Sequence, residues 1–363
     1  MKNLFDVTGK VVVMTGACGV LGASIVKYFA AQGAKVVLLD LERAAELGEN
    51  LVNEIKADGG EACFFPTNVL DKEILEKNYA QIMEALGDVE LSRESRLLRA
   101  VALELERLAN HIGDLGALAG DVAFLPTASF CGRIRGEYLN MTAELCGNRF
   151  GRNLIVPGGT RFGLEVARAQ KVLKWIERVY PELRQALDML FDSPTVLDRF
   201  ENTGSVSQED AADCGLIGVA GRASGVDVDA RHDFPADTIA RPAKVSCGKG
   251  DVVSRARVRY DEIIAAHDWI IPVLEKITEY IPARQTECVP AASSIAVSVT
   301  EAWRGELCHA AVTDENGKFR RYKIVDPSFH NWFGLALALR NEQISNFPIC
   351  NKSFSLSYCG HDL

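Results

Sequence analysis

No cysteine in this 363-residue chain has a second cysteine three positions away. The ten thiols are scattered from Cys18 to Cys359, so the paired spacing that holds structural zinc or iron–sulfur clusters is missing. Dispersed thiols of this kind are expected to be buried and inert. An excess of positive charge is missing too. Lys and Arg number 40 against 49 Asp and Glu, a net charge of −9. A basic face for phosphate backbones is therefore not expected, nor is nucleic acid as a partner. No run approaches the ~20 apolar residues of a membrane span. The opening MKNLFDVTGK leads straight into a strand pattern, unlike a signal peptide. None of the eight tyrosines is followed four residues later by lysine. A phenol without a neighbouring cation titrates near its usual ~10 and is a poor acid or base at neutral pH. What remains is 48% hydrophobic and 25% charged, the composition of a globular chain long enough for two domains.

Residues 1–86 alternate strand and helix, which implies parallel βαβ units. Residues 10–14 (KVVVM) form an apolar β-branched run typical of a strand buried on both faces. Helix patterns follow over 21–32, stopping at Gly33, and over about 43–58, stopping at Gly59-Gly60. Strands are expected at 35–39 and 61–65. Between the first strand and the first helix stands Thr15-Gly16-Ala17-Cys18-Gly19-Val20-Leu21-Gly22. Glycines there let the backbone approach a pyrophosphate, and the helix N-terminus offers free N–H groups and partial positive charge. Asp40, at the end of the second strand, is placed to bond two ribose hydroxyls and to repel a 2′-phosphate, favouring NAD. The same glycines would also serve a tight turn alone.

The T-G-x-x-x-G-x-G spacing resembles that of short-chain dehydrogenases. The resemblance covers their first three βα units. It implies a nucleotide site at Thr15, Gly16, Cys18, Gly19, Val20, Gly22 and Asp40, with Asn68-Val69 at the adenine contact. The family's fourth strand with Asn-Ala-Gly and its catalytic Tyr-x-x-x-Lys are absent. Strand one then needs some other cover for its free edge.

Residues 88–363 change period. Helices are expected at 95–118, 136–146, 163–191, 207–213, 251–280 and 332–339, and strands only at 294–299, 305–313 and 320–324. The expected fold is thus a partial α/β Rossmann segment of three βα units, then a mainly α bundle with a small antiparallel sheet, with a boundary near residues 86–90. Four motifs come early in the second segment: Glu104-Leu105-Glu106-Arg107-Leu108-Ala109-Asn110-His111, Gly113-Asp114-Leu115-Gly116, Gly120-Asp121-Val122-Ala123-Phe124 and Val156-Pro157-Gly158-Gly159. Three come later: Gly221-Arg222-Ala223-Ser224-Gly225, Glu301-Ala302-Trp303-Arg304-Gly305-Glu306 and Asp326-Pro327-Ser328-Phe329-His330-Asn331. Their order resembles that of the large subunit of group 4 [NiFe] hydrogenases and of the D-type subunit of NADH:quinone oxidoreductase (complex I).

That resemblance implies a four-helix bundle framing a cavity, a quinone as the possible substrate, iron–sulfur and membrane subunits as partners, and a cytoplasmic position on the inner face of the cell membrane. Serine and asparagine stand where the hydrogenase's second thiolate pair would be, so no nickel–iron centre and no other metal is expected. His111, His309 and His330 are candidate proton carriers, with satisfied buried histidines as the competing reading. Asp121, inside an apolar stretch, is the leading candidate acid, since a lone buried carboxylate is costly and such acids gather at functional sites. Arg133, Arg135, Arg149 and Arg152 could pair with such acids or form a solvated face. Three functions stay open: a redox-assembly subunit in which Asp121, His111 and His330 carry chemistry, an NAD-binding dehydrogenase relative, and an inactive chimera from gene rearrangement or mis-assembly.

Overall fold

The computed structural model describes residues 7–8, 10–15, 17–40, 44–66, 72–234, 241–283 and 286–361. The chain divides into two compact units, Met1–Asp71 and Lys72–Leu363.

In the smaller unit, β1 (Val11–Thr15), α1 (Val20–Ala31), β2 (Lys35–Asp40), α2 (Ala45–Ala57) and β3 (Glu61–Pro66) alternate as the sequence implies. The strands form a parallel sheet in the order β1-β2-β3, with Val11 opposite Lys35 and Lys35 opposite Glu61. Both helices stop where glycine permits a left-handed backbone, at Gly33 (φ 82°) and Gly59 (φ 85°). The chain then turns back to bond the helix end, Ala34 N to Phe29 O at 3.1 Å and Gly60 N to Ile55 O at 2.9 Å. Val26, Val36, Leu38, Leu51 and Ile55 form the core between helices and sheet. Each such side chain contributes roughly 1.5–3 kcal/mol by leaving water. Among the described residues β1 pairs with β2 alone.

The larger unit opens with α3 (Lys72–Leu86). Sequence period grouped this helix with residues 1–86. The structure instead packs it within the larger unit, where Ile82 and Leu86 bury against Ala296 and Ala311. Asn78 Nδ2 also donates to Leu307 O at 3.1 Å. Then come α4 (Arg93–Asp121), α5 (Leu125–Cys146), the short hairpin β4 (Ile155–Val156) and β5 (Gly159–Thr160), and α6 (Val166–Phe191). Four short helices follow: α7 (Pro194–Phe200), α8 (Gln208–Asp213), α9 (Gly218–Ala223) and α10 (Ala230–Asp233). Next are α11 (Val252–Glu275) and the antiparallel sheet β6 (Ile295–Ala302), β7 (Gly305–Thr313) and β8 (Phe319–Val325). The described chain ends in α12 (Pro327–Ala338), α13 (Phe347–Phe354) and α14 (Tyr358–His361).

Helices α4, α5, α6 and α11 form the bundle, with α4 on α5, α5 on α6, and α11 on both α4 and α6. Their starts are fixed locally: Ser92 caps α4 by accepting from Ser95 N, and Asp251 caps α11 by accepting from Ser254 N. Helix α5 begins eleven residues before the expected 136, with proline in its first turn, the one place a helix tolerates it freely. Among the described residues no helix is long and apolar enough to cross a membrane.

Candidate functional site

Three residues of α4, spaced i, i+3 and i+7, place ionisable groups on a buried face: Glu104, Arg107 and His111. Opposite them, α11 supplies Glu262. Helix α9 supplies Arg222, β6 supplies Glu301, and the α10 region supplies Asp229 and Arg231. A close backbone approach sets the α9 position. Gly218 adopts φ +60°, and a Cβ there would lie 2.2 Å from Arg304 O in the turn between β6 and β7. Only glycine lets α9 sit against that turn, and this brings Arg222 to Glu301.

All eight side chains are buried, and every charge finds an opposite one. Arg222 reaches Glu262 at 2.6 Å and Glu301 at 2.8 Å. Arg231 reaches Asp229 at 2.7 Å and Glu104 at 3.4 Å. Arg107 bonds Glu104 at 3.2 Å and donates to Glu301 O at 2.7 Å. His111 Nε2 lies 2.6 Å from Glu262 Oε2.

Burial alone would raise the Glu262 carboxyl. Arg222, the His111 bond and Arg231 overcome that and hold it well below the usual range. At Asp229, burial is likewise overcome by Arg231 and Arg222, which bring it down to about 2. With Glu262 ionised, His111 presents its Nε2–H to it. Burial then pushes the His111 pKa down, against the pull of Glu262, so the ring is neutral near pH 7. Its Nδ1 is buried without a hydrogen-bond partner among the described residues. The network holds three arginines against four carboxylates, and Arg107 and Arg259 add to the burial that disfavours a proton on His111. This is an enclosed cluster of three arginines, four carboxylates and one neutral imidazole.

The cluster reaches a cavity of about 580 Å³ between α3, α4 and β6, because Glu104, Arg231 and Glu301 also line that cavity.

Of the residues expected from sequence, only His111 lies in the network. Asp121 is the last residue of α4 and is exposed, ten residues or about 15 Å along the helix from His111 at 1.5 Å per residue. The expectation of a carboxylate enclosed in apolar surroundings is corrected here: the helix ends at Asp121, and its side chain meets solvent. Partial burial still raises its pKa, opposed by Lys352. His330 is half-buried on α12, edge-on to Phe329, with its pKa lowered by burial. No hydrogen bond or ion pair joins Asp121, His330 and His111 among the described residues. His309 lies on β7 with Nδ1 2.8 Å from the Tyr322 hydroxyl. Arg133 is exposed and pairs with Glu182 and Glu137, and the Arg149 guanidinium lies 4.6 Å over the Phe150 ring.

Ser328 and Asn331 are spent on structure. Ser357 N donates to Ser328 Oγ at 2.9 Å. Asn331 grips the Ile217 backbone at both ends, Oδ1 accepting from Ile217 N at 2.9 Å and Nδ2 donating to Ile217 O at 3.1 Å. Hard, hydrogen-bonded oxygen and amide groups do not fit a thiolate-held metal pair. Among the described residues no cluster of His, Cys, Asp or Glu has the form of a metal site.

In the smaller unit, Gly19 is the extended N-cap residue of α1 (φ −69°, ψ 163°), Gly22 is buried and Cys18 is half-buried. The N-cap residue of α1 is a glycine, so its own side chain supplies no cap to the first N–H groups. Gly16, Asn68 and Val69 lie outside the described residues, as do the side chains of Thr15, Val20 and Asp40.

Two families match the chain. Residues 10–91 match the family described as short chain dehydrogenase, and residues 121–296 match "Respiratory-chain NADH dehydrogenase, 49 Kd subunit". The first match runs through α3, although that helix packs within the larger unit. The carbon monoxide-induced hydrogenase of Rhodospirillum rubrum is 27% identical over 280 residues, 76% of this chain and 77% of that protein. Formate hydrogenlyase subunit 5 of Escherichia coli is 28% identical over 77% of this chain, which spans 49% of its length. The D-type subunit of the NADH-quinone oxidoreductase of Bacillus mycoides is 27% identical over 73% of each chain. In sequence order, therefore, the chain carries a segment similar to short-chain dehydrogenases and a longer one similar to the D-type subunit of complex I and the large subunits of group 4 hydrogenases.

Proposed function

We propose that the chain works as a large-subunit-like component of a redox assembly related to complex I and group 4 hydrogenases, without a metal of its own. In this reading its larger unit holds a protonatable charge network beside redox centres carried by other subunits. The observation behind it is the similarity to such subunits over 73–77% of the chain. The buried network is built largely from the motif residues Glu104, Arg107, His111, Arg222 and Glu301. His111 is the proposed proton acceptor, Glu262 its partner, and Arg222 and Arg231 hold Glu262 ionised. Asp121 and His330 take no part in this network. Electron transfer would need iron–sulfur subunits, and attachment to a membrane would come through membrane subunits. A quinone is the small-molecule substrate this reading favours.

Purification of the natively tagged chain tests the proposal. The expected result is co-elution with a partner carrying iron and acid-labile sulfide in fixed ratio to this chain. Elution alone, with neither, would overturn it.

A second reading, nucleotide binding, is favoured by the parallel fold of the smaller unit and its match to short chain dehydrogenase. NAD would lie along Thr15, Gly16, Cys18, Gly19, Val20 and Gly22, with its ribose on Asp40 and its adenine beside Asn68-Val69. Such binding would be weak. The crevice that holds a dinucleotide needs a strand on each side of the switch point, and β1 pairs only with β2 among the described residues. Calorimetric titration is expected to show no micromolar binding and no hydride transfer. Micromolar NADP binding, or tight NAD binding with turnover, would contradict this.

A further inference from the structure

The cavity of about 580 Å³ in the larger unit is lined by five cationic side chains, Lys77, Arg96, Arg99, Arg231 and Arg241, against three acids, Glu84, Glu104 and Glu301. Each of the acids already has a partner. Glu84 is held by Arg99 at 2.6 Å, Glu104 by Arg107 and Arg231, and Glu301 by Arg222. Lys77 and Arg96 make no side-chain hydrogen bond or ion pair to another described residue. Both are half-buried.

Lys77 and Gln81 lie one turn apart on α3, so both present to the same space. The Gln81 carbonyl oxygen accepts from the Ser298 and Thr300 hydroxyls, which leaves its amide hydrogens as the free donors. Burial, with the Arg99 and Arg241 guanidiniums, pushes the Lys77 amine down to about 8, despite the opposing pull of Glu104 and Glu106. Burial and the two guanidiniums thus outweigh the pull of Glu104 and Glu106 on the amine, and no described carboxylate pairs with it directly. The rest of the lining is apolar, with Leu91, Trp269 and Val297 among its residues. The volume falls within the ~300–1,000 Å³ usual for small-molecule sites.

We infer that this cavity binds a small amphipathic carboxylate, with Lys77 as its ion-pair partner, Arg96 as a second cation, Gln81 as a neutral donor, and the apolar wall around Leu91, Trp269 and Val297 taking its body. A free phosphate would leave that wall empty. A cation would meet Lys77 and Arg96 without an unpaired acid to receive it. Such binding is independent of whether the chain works in a redox assembly.

The test is calorimetric titration of the full chain with octanoate, octanol and octylammonium, which share one tail and differ in head-group charge. Octanoate is expected to bind saturably. Octanol and octylammonium are expected to bind at least about tenfold more weakly, the size of one charge-assisted contact. Lys77→Met should weaken octanoate by about tenfold or more, while Lys77→Arg retains it. Absence of saturable octanoate binding, equal binding of the three probes, or unchanged octanoate binding by Lys77→Met would each overturn the inference. If Lys77→Met fails to fold, the ranking of the three probes by the wild-type chain decides it.

Discussion

Replacing Glu262 by alanine is expected to destabilise the larger unit by roughly 3–5 kcal/mol, the cost of stranding a buried charge. Glu262 is the acid on which the network converges. Its removal leaves Arg222 without a 2.6 Å partner, His111 without an acceptor for Nε2–H, and Arg231 with one fewer counter-charge. Arg222 keeps Glu301 and Asp229 nearby, so it is not left wholly bare. Glu262→Gln keeps the shape but not the charge, and should fall between wild type and Glu262→Ala. A double variant, Glu262→Ala with Arg222→Met, should cost less than the sum of the two single changes, because the second change removes the stranded cation. Denaturant unfolding measures all four. A loss below about 1 kcal/mol for Glu262→Ala would place it with exposed pairs, and the network would then not be a buried unit.

Acid is expected to weaken the larger unit from the ordinary histidine range downward. His267 is enclosed. Its Nε2 lies 2.6 Å from the Tyr138 hydroxyl, its Nδ1 lies 2.6 Å from Ile263 O, and its ring stacks on Tyr180 at 3.8 Å. The Nδ1–H donates to the carbonyl, so Nε2 accepts from the phenol and has no place for a second proton. Burial pushes His267 and His309 each down to about 4. An unfolded histidine takes its proton near 6.5, so between about pH 6.5 and 4 the unfolded chain binds more protons than the folded one. Stability is therefore full above the ordinary value and is lost as the pH falls through this window, by on the order of 3 kcal/mol for each of these two histidines. His111, also lowered, acts in the same direction. The lowered carboxylates Glu262 and Asp229 contribute stability that is present above their ordinary unfolded values and is lost only on further acidification through their folded ones. Denaturant melts at pH 7, 6 and 5 should show a steady decline, and His267→Gln should flatten it. Constant stability from pH 7 to 5 would mean that these histidines titrate normally.

Much of the fold could be read because local signals agreed with the tertiary answer. Gly33 and Gly59 stop α1 and α2 where the sequence placed those ends, and β7 runs over the expected residues 305–313. Period and chain order group α3 with residues 1–86 because neither says which partner buries a helix. Its apolar residues Ile82 and Leu86 pack against β6 and β7, more than 200 residues later. The first half of α5 has no sequence signal because Leu125-Pro126-Thr127-Ala128-Ser129 carries no clear apolar stripe.

The sequence singles out His111, which lies in the buried network, but not the partners it meets there. The signal was present: Glu104, Arg107 and His111 lie in phase with the buried Val101, Leu108 and Leu115, which puts ionisable groups on a core-facing stripe. Glu262 and Arg259 interrupt α11 in the same way. Which of these charges meet is set by contacts across elements far apart in sequence, such as Arg222 with Glu301, and no spacing rule encodes those. The apolar neighbours of Asp121 in sequence imply burial, but a residue on the last turn of a helix can face solvent whatever precedes it.

Nickel analysis of the natively tagged chain, purified without oxygen and normalised to the amount of this chain, most directly tests the claim that the large-subunit frame persists here without its metal. The expected result is iron and labile sulfide following the partner subunits, with nickel far below one atom per chain, because Ser328 and Asn331 are committed to Ser357 and Ile217. Nickel in a one-to-one ratio with this chain would contradict it.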